Sequence, residues 1–320
     1  MRYPITFLVL AAGVTLLACV GRGEPEQAPA QAPAQAPPQA PTRSPVRDGV
    51  SSLRVAAVQM RSTRDLAENA RRVRDHLRRC KADGARVAVF PECALTGYFD
   101  EEYHRALRAD ELAEAERAVS AACRELDIYA VVGTTTRDGE KLFDSALVID
   151  PRGRLIERYH KVQLAERWPA AGDQLSVFRV DGVPCSIIIC HDERYPELVR
   201  LPVLAGARVV FYVSHESGLR EEHKLGPYRA QVQARAVENT VYVVHANAPA
   251  DEGGGGSHGQ SRVVAPDGRI LREASMFKDE VIAETLDLSK ATGAFALNSL
   301  RRGPLGDWWA DGVRRVRVLE

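Results

Sequence analysis

The 320-residue sequence has no surplus of either charge: lysine and arginine total 43, and aspartate and glutamate also total 43. Nucleic acid is thereby excluded as the main partner, because neutralising phosphates requires a clustered basic excess. A small substrate is the expectation that remains. No second cysteine or histidine pair stands at zinc-like spacing, so His191-Asp192 taken with His215 reads as packing and hydrogen bonding rather than a metal site. No internal repeat recurs at solenoid spacing, and no proline-rich break interrupts residues 51–320, which read as one domain. A set of membrane-spanning helices is missing too: the apolar run from Ile5 to Leu17 is shorter than the roughly 20 residues that one span needs.

That run has another reading. Met1-Arg2 supplies a short basic start, and Leu16-Leu17-Ala18-Cys19 has the form of a lipobox, so residues 1–18 are expected to be a lipoprotein signal peptide and Cys19 the lipidated amino terminus of the mature chain. Acylation there would hold the protein at a bacterial-type envelope membrane with its domain outside the cytoplasm. Residues 20–50, which include EPEQAPAQAPAQAPPQAPTRSPVRD, are rich in proline, alanine and glutamine. Such a stretch has too little apolar surface to bury and reads as a semi-stiff tether.

Within the domain, LRVAAVQ from Leu53 is apolar at most positions, as a strand covered on both faces should be. Leu66, Ala70, Val73, Leu77 and Cys80 recur at helical spacing, and Gly84 closes that helix. RVAVF, YAVVGTT, SALVID, RLIERYH, VPCSIII, ARVVFYVS, NTVYVVHANA and GQSRVVAPDGRILREA read as further strands. A second amphipathic helix carries Leu112, Ala115, Val119, Ala122 and Leu126, and a third lies between Pro227 and Glu238. Strands alternating with helices first and hairpins later imply a mixed sheet with helices packed outside it.

Three reactive residues stand where such strands end: Glu92, Lys161 and Cys190. Each alone has a plainer reading, as a surface acid, a solvated charge and a buried thiol. Together they supply what attack on an amide or nitrile carbon needs. The cysteine is the nucleophile, the carboxylate takes its proton and later activates water, and the fixed cation faces the developing oxyanion. A cysteine-histidine alternative through His191 or His160 is disfavoured, because each directly adjoins a member of the trio and neighbours on a strand face opposite ways.

The segments VFPECALTGYF, YHKVQLAERWPAAGD and IICHDERYPEL, followed by ARAVENTVYVVHAN and SHGQSRVVAPDGRIL, resemble in order those of the nitrilase superfamily of carbon-nitrogen hydrolases, from Leu53 to about Glu273. The resemblance implies an α/β fold, a four-layer α-β-β-α sandwich, assembled at least as a homodimer. It implies Cys190 as nucleophile, Glu92 as general base and acid, Lys161 as oxyanion stabiliser, and the His191 backbone N–H as a second oxyanion donor. Glu166 fills the slot of a further carboxylate that orients the lysine or the substrate. No metal or organic cofactor is required by that chemistry. Tyr98, Trp168, Arg194 and His215 are the candidate substrate-binding residues, with pairing to Glu197 as the alternative for Arg194. Glu197 itself reads as structural, since Pro196-Glu197 opens a helix.

Enzymes of this superfamily that act on nitriles usually carry tryptophan and glutamate after the cysteine, whereas His191-Asp192 stands here, which favours amide or carbamoyl substrates. The alternatives are thioester-based acyl transfer to an amine and a substrate-binding lipoprotein that keeps the fold without the chemistry. Cys185 and Cys190 lie too far apart along one strand to bridge. Cys93 adjoins the expected base and would matter if it approached Cys190, and spacing leaves the pairing of Cys80 and Cys123 open.

Overall fold

A computed structural model of the chain describes residues 50–301 and 305–319; the signal segment, Cys19 and most of the tether lie outside them. The elements run β1 (Ser52–Gln59), α1 (Leu66–Ala82), β2 (Val87–Val89), α2 (Glu101–Ala106), α3 (Ala109–Leu126), β3 (Tyr129–Asp138), β4 (Lys141–Ile149), β5 (Leu155–His160) and β6 (Leu175–Val180). They continue with β7 (Val183–Ile189), a 3-10 turn (Cys190–Arg194), α4 (Glu197–Leu204), β8 (Val209–Ser214), α5 (Leu225–Val237), β9 (Tyr242–Asn247), β10 (Arg262–Val264) and β11 (Ile270–Glu273). Then follow β12 (Glu280–Asp287), α6 (Ala294–Ser299), α7 (Gly306–Val313) and β13 (Val316–Val318).

The strands form two sheets rather than one, ordered β12-β1-β2-β3-β4-β5 and β11-β10-β9-β8-β7-β6-β13. Side-chain alternation explains how they stack. Val55 and Ala57 of β1 point into a core shared with Ile187 and Ile189 of β7, while Ala56 and Val58 point the other way, under Val73 and Leu77 of α1 and Val119 of α3. On the far side of the second sheet, Ile188, Val210 and Val243 pack against Val199 and Val203 of α4 and Val232 of α5. Helices, sheet, sheet, helices: the four-layer sandwich follows from each inner strand being apolar on both faces.

The helix expected from Leu66 is capped by Asp65, whose side chain accepts from the Glu68 N–H, and ends beside Gly84 at φ +77°. Three strands escaped the sequence reading: β6, β12 and β13. β12 pairs antiparallel with all of β1, from Ser52 opposite Asp287 to Gln59 opposite Glu280, and covers the edge of the first sheet.

Candidate active site

The middle of the molecule brings three loops together. Glu92 follows β2 in a tight turn whose next residue, Cys93, has φ +50°. Lys161 follows β5 and is held to β4 by its N–H donating to the Asp144 carbonyl at 2.9 Å. Cys190 follows β7 with φ +41°, a left-handed conformation that costs a non-glycine residue about 1 kcal/mol or more and that the surrounding structure must enforce.

Asp192 does much of that enforcing. One of its oxygens accepts from the Val162 and Gln163 N–H groups at 3.1 and 2.8 Å, and the other from the Tyr159 hydroxyl and the Ile189 N–H at 2.8 and 3.0 Å. A single buried carboxylate thus fastens the cysteine turn to the lysine loop. This is the hydrogen-bonding account of Asp192 in preference to a metal site. Burial raises its pKa to about 6, against the pull of these donors.

The Lys161 ammonium, completely buried, donates to Glu92 at 2.6 Å, to Asp144 at 3.2 Å and to both oxygens of Glu166 at 2.9 Å. Oxygens of Glu92, Asp144 and Glu166 lie within 4.8 Å of one another, a grouping that would suit a metal ion, but the cation they surround is this ammonium. The other Glu92 oxygen accepts from the His215 N–H at 2.7 Å, and the His215 carbonyl accepts from the Cys190 thiol at 3.8 Å. The backbone of one residue, His215, therefore stands between carboxylate and thiol.

Burial raises the Glu92 carboxyl well above its ordinary range; Lys161 opposes this, and Asp144 and Glu166 add to it. Between the two effects that sequence left in balance, desolvation prevails. For Lys161 desolvation pulls downward, yet the acidic groups around it, Glu92 foremost, together outweigh it and keep the ammonium charged. Burial and the Glu92 charge hold the Cys190 thiol above its ordinary value despite Lys161. The resting sulfur is a thiol, so attack requires a base.

A cavity of about 350 Å³ opens onto Glu92, Tyr98 and His215, with Arg61, Asp251 and Gly256 among its other walls. Tyr98 stacks on the His215 ring at 4.4 Å and donates its hydroxyl to Glu166 at 2.5 Å. Burial lowers the His215 imidazole to about 4, so that wall is neutral. Two of the four expected substrate contacts do not face this cavity. Trp168 is buried behind Tyr98, stacked on His104 at 3.9 Å and packed against Cys93 and Leu142. Arg194 is exposed, its guanidinium 5.3 Å from the Tyr228 ring centre, and neither wall-forming nor paired with Glu197 among the described ion pairs.

His191 is the second residue of the 3-10 turn. The strand-alternation argument about its side chain therefore does not apply; its ring meets Tyr195 edge-on at 5.8 Å, and its N–H belongs to the first turn, where backbone donors lack partners within the helix. His160 turns from the lysine, bonding Ser145 at 2.8 Å and stacking on Phe143. The five cysteines among the described residues are all free, and Cys93 directs its sulfur at Asp144, 3.8 Å away.

Two positioning features had no sequence signal. Asp144, the third carboxylate, sits mid-strand in FDSALV and reaches Lys161 only because Ser145 pairs with His160 across β4 and β5. Gly133 of β3 leaves room for the glutamate turn: a Cβ there would lie 2.2 Å from the Pro91 carbonyl oxygen and 2.6 Å from the Glu92 Cα.

The sequence profile of the carbon-nitrogen hydrolase family matches residues 54–294. A nitrilase of Pyrococcus abyssi is 31% identical over 245 residues, covering 74% of this chain and 90% of its own. The omega-amidase of Homo sapiens is 25% identical, covering 75% and 91%, and the 2-oxoglutaramate amidase of Bacillus subtilis 28% identical, covering 65% and 80%. Among solved structures, the amidase of Nesterenkonia sp. AN1 in complex with butyramide superposes with a TM-score of 0.70 at 25% identity, covering 78% of this chain and 94% of that one. With the match spanning most of the sandwich and the site at its centre, the chain belongs to the carbon-nitrogen hydrolase family of the nitrilase superfamily and is an enzyme of that kind.

Proposed function

We propose that the protein hydrolyses the carbon-nitrogen bond of a small amide or carbamoyl compound through a thioester at Cys190, releasing ammonia or an amine. The observation that supports this reading is the meeting of a buried ammonium with a carboxylate of raised pKa, which the His215 backbone links to a thiol, the carboxylate standing on the wall of a small cavity. Glu92 takes the thiol proton as the sulfur attacks the carbonyl carbon. The oxyanion then draws one of the three Lys161 N–H donors from its carboxylate partners and takes a second bond from the His191 N–H. Collapse expels the amine with the proton held by Glu92. Glu92 next deprotonates a water that attacks the thioester, and the acid leaves. Glu166, bonded to both Lys161 and Tyr98, keeps the ammonium and the cavity wall in register.

A volume of about 350 Å³ lies near the small end of ligand pockets and suits a short chain. The amidase and omega-amidase relatives favour an aliphatic amide with a polar tail. Ammonia release over a panel of ω-amides, carbamoyl amines and acylated amines, with Cys190→Ala beside the wild type and mass spectrometry of the protein, tests the reading. The expected result is ammonia together with an acyl adduct on the wild type alone. A protein that releases nothing and forms no adduct is a binder, and one that makes product only when an amine acceptor is added is a transferase.

Export and lipid attachment at Cys19 belong to the same proposal. Metabolic labelling with a clickable fatty acid should mark the wild type and not Cys19→Ser. Homodimerisation also belongs to it; light scattering during size exclusion should give twice the chain mass.

A further inference from the structure

Three carboxyls face one ammonium in a space closed to water. The side chains of Glu92, Asp144 and Lys161 have no exposed surface, and that of Glu166 is 8% exposed. Were all three acids ionised, the cluster would carry two uncompensated negative charges, a balance that passing the Cys190 proton to Glu92 leaves unchanged. Burying one unpaired ion costs several kcal/mol, and carboxyls that share a site avoid the cost by keeping a proton.

The hydrogen-bond inventory identifies which acid keeps it. Glu166 receives Tyr98, Lys161 and the Ala165 N–H across its two oxygens. Glu92 receives Lys161 on one oxygen and the His215 N–H on the other, at 2.6 and 2.7 Å. Asp144 has the longest bond to the ammonium, 3.2 Å, receives the weak S–H of Cys93 at 3.8 Å, and shares a carboxyl-to-carboxyl hydrogen bond with Glu92. A bond between two carboxyls needs one proton, and Asp144, which receives the longer and weaker of the other donors, is the partner that supplies it while Glu92 keeps its two short ones.

We infer that Asp144 is a positioning residue that holds the cluster's resting proton, pinning Lys161 from β4 while leaving Glu92 ionised to receive the proton of Cys190. The inference rests on the hydrolytic reading of the site. Groups facing Asp144 are Glu92 and Cys93 from the turn after β2, Lys161 after β5 and Glu166 beyond it; Tyr159 acts on it across the sheet. Burial raises the pKa of both acids, that of Glu92 the more strongly, which retains one proton in the bond they share. During turnover the Asp144 proton stays in place and Glu92 carries the second, moving one.

Asparagine at this position copies a neutral aspartic acid, whereas alanine removes the contact to Lys161. D144N should keep kcat/KM for ammonia release within about tenfold of wild type, while D144A, which frees the ammonium to shift, should lose about 10²-fold or more. In infrared difference spectra at pH 8, wild type minus D144N should show the carbonyl stretch of a neutral carboxylic acid. Should D144N not fold, the wild type labelled with ¹³C at its aspartate carboxyls still decides, one resonance remaining at the neutral-acid position at pH 8. A missing band, every aspartate ionised at pH 8, or a D144N loss as deep as that of D144A would overturn the inference. The spectroscopic arms need no substrate, so they stand apart from any failure of the proposed hydrolysis.

Discussion

Replacing Gly133 with alanine tests whether the glutamate turn is positioned as tightly as the geometry requires. The new Cβ would stand 2.2 Å from the Pro91 oxygen, 2.6 Å from the Glu92 Cα and 2.7 Å from the Cys93 nitrogen. Ordinary contact distances are about 3.5 Å, so something must give by roughly 1 Å. All three atoms are backbone, and no side-chain rotamer relieves the clash. β3 cannot retreat, because it pairs with β2 on one side and with the whole of β4 on the other. The turn is therefore the part that moves, although Phe90 and Leu95 tie it to Val131 and Gly133 through backbone bonds of 2.8 and 3.0 Å. Overpacking of this kind costs about 1–3 kcal/mol of stability. Moving a catalytic group by about 1 Å costs roughly 10²-fold in rate.

G133A should thus lower the urea midpoint and, at temperatures where the protein stays folded, reduce kcat for ammonia release by about two orders of magnitude. Gly226→Ala is the control: a Cβ there meets nothing within 4 Å, and its helical position should accept alanine with unchanged activity and a gain of up to about 1 kcal/mol. A G133A protein with a lowered midpoint but wild-type kcat would refute the argument, since it would show that Glu92 tolerates displacement and is not the proton carrier.

Other perturbations probe separate parts of the site. Lys161→Met leaves Glu92, Asp144 and Glu166 buried without their cation; at neutral pH, denaturant titration should show a loss of about 3–5 kcal/mol, with partial recovery toward acid pH as the carboxyls protonate. Asp192→Asn puts an amide NH₂ against two of four donors, so the unfolding free energy from urea titration should fall by about 1–3 kcal/mol, with kcat falling as the cysteine turn loosens. Tyr98→Phe removes the bond to Glu166 and should raise KM with an effect of about 1 kcal/mol on kcat/KM, measured by steady-state ammonia release. His104 is buried neutral, bonded to Thr135 and to the Phe99 N–H, with its pKa lowered by burial to about 4. Below its ordinary value of 6.5 the unfolded chain binds a proton that the folded protein refuses until about 4. Wild-type stability should therefore fall relative to His104→Gln as pH drops through that window, by at most about 3 kcal/mol, and match it in slope above pH 7.

Much of the site was legible because its reactive groups stand where apolar strands stop. VAVFPE, LIERYHK and SIIIC each end a run of buried residues on one chemically conspicuous side chain, and the two-faced apolar strands carried the sheet-on-sheet core with them. Position along the chain did not say which way a neighbour faces. Trp168 lies two residues from Glu166 and Arg194 four from Cys190, yet one packs behind Tyr98 and the other stands exposed over the Tyr228 ring. The two-sheet division depended on β12 returning to pair with β1, a partnership between residues more than two hundred apart that EVIAETLD does not advertise.

Asp144 is the instructive case. FDSALVID is an unremarkable strand, and its aspartate becomes part of the site only through the register that sets Ser145 opposite His160 and so places Lys161 beside it. A reactive cysteine or lysine is visible by its chemistry, but the proton balance around it belongs to the sum of charges in a closed space. Three acids about one ammonium follow from two strand ends, Glu92 and Lys161, one loop residue, Glu166, and one cross-strand neighbour, and only the last of these four needed the folded register to be found. Asparagine at residue 144, neutral at every pH like the protonated acid it replaces, should therefore leave the pH profile of kcat/KM near that of the wild type, whereas alanine, which frees the ammonium, should shift it.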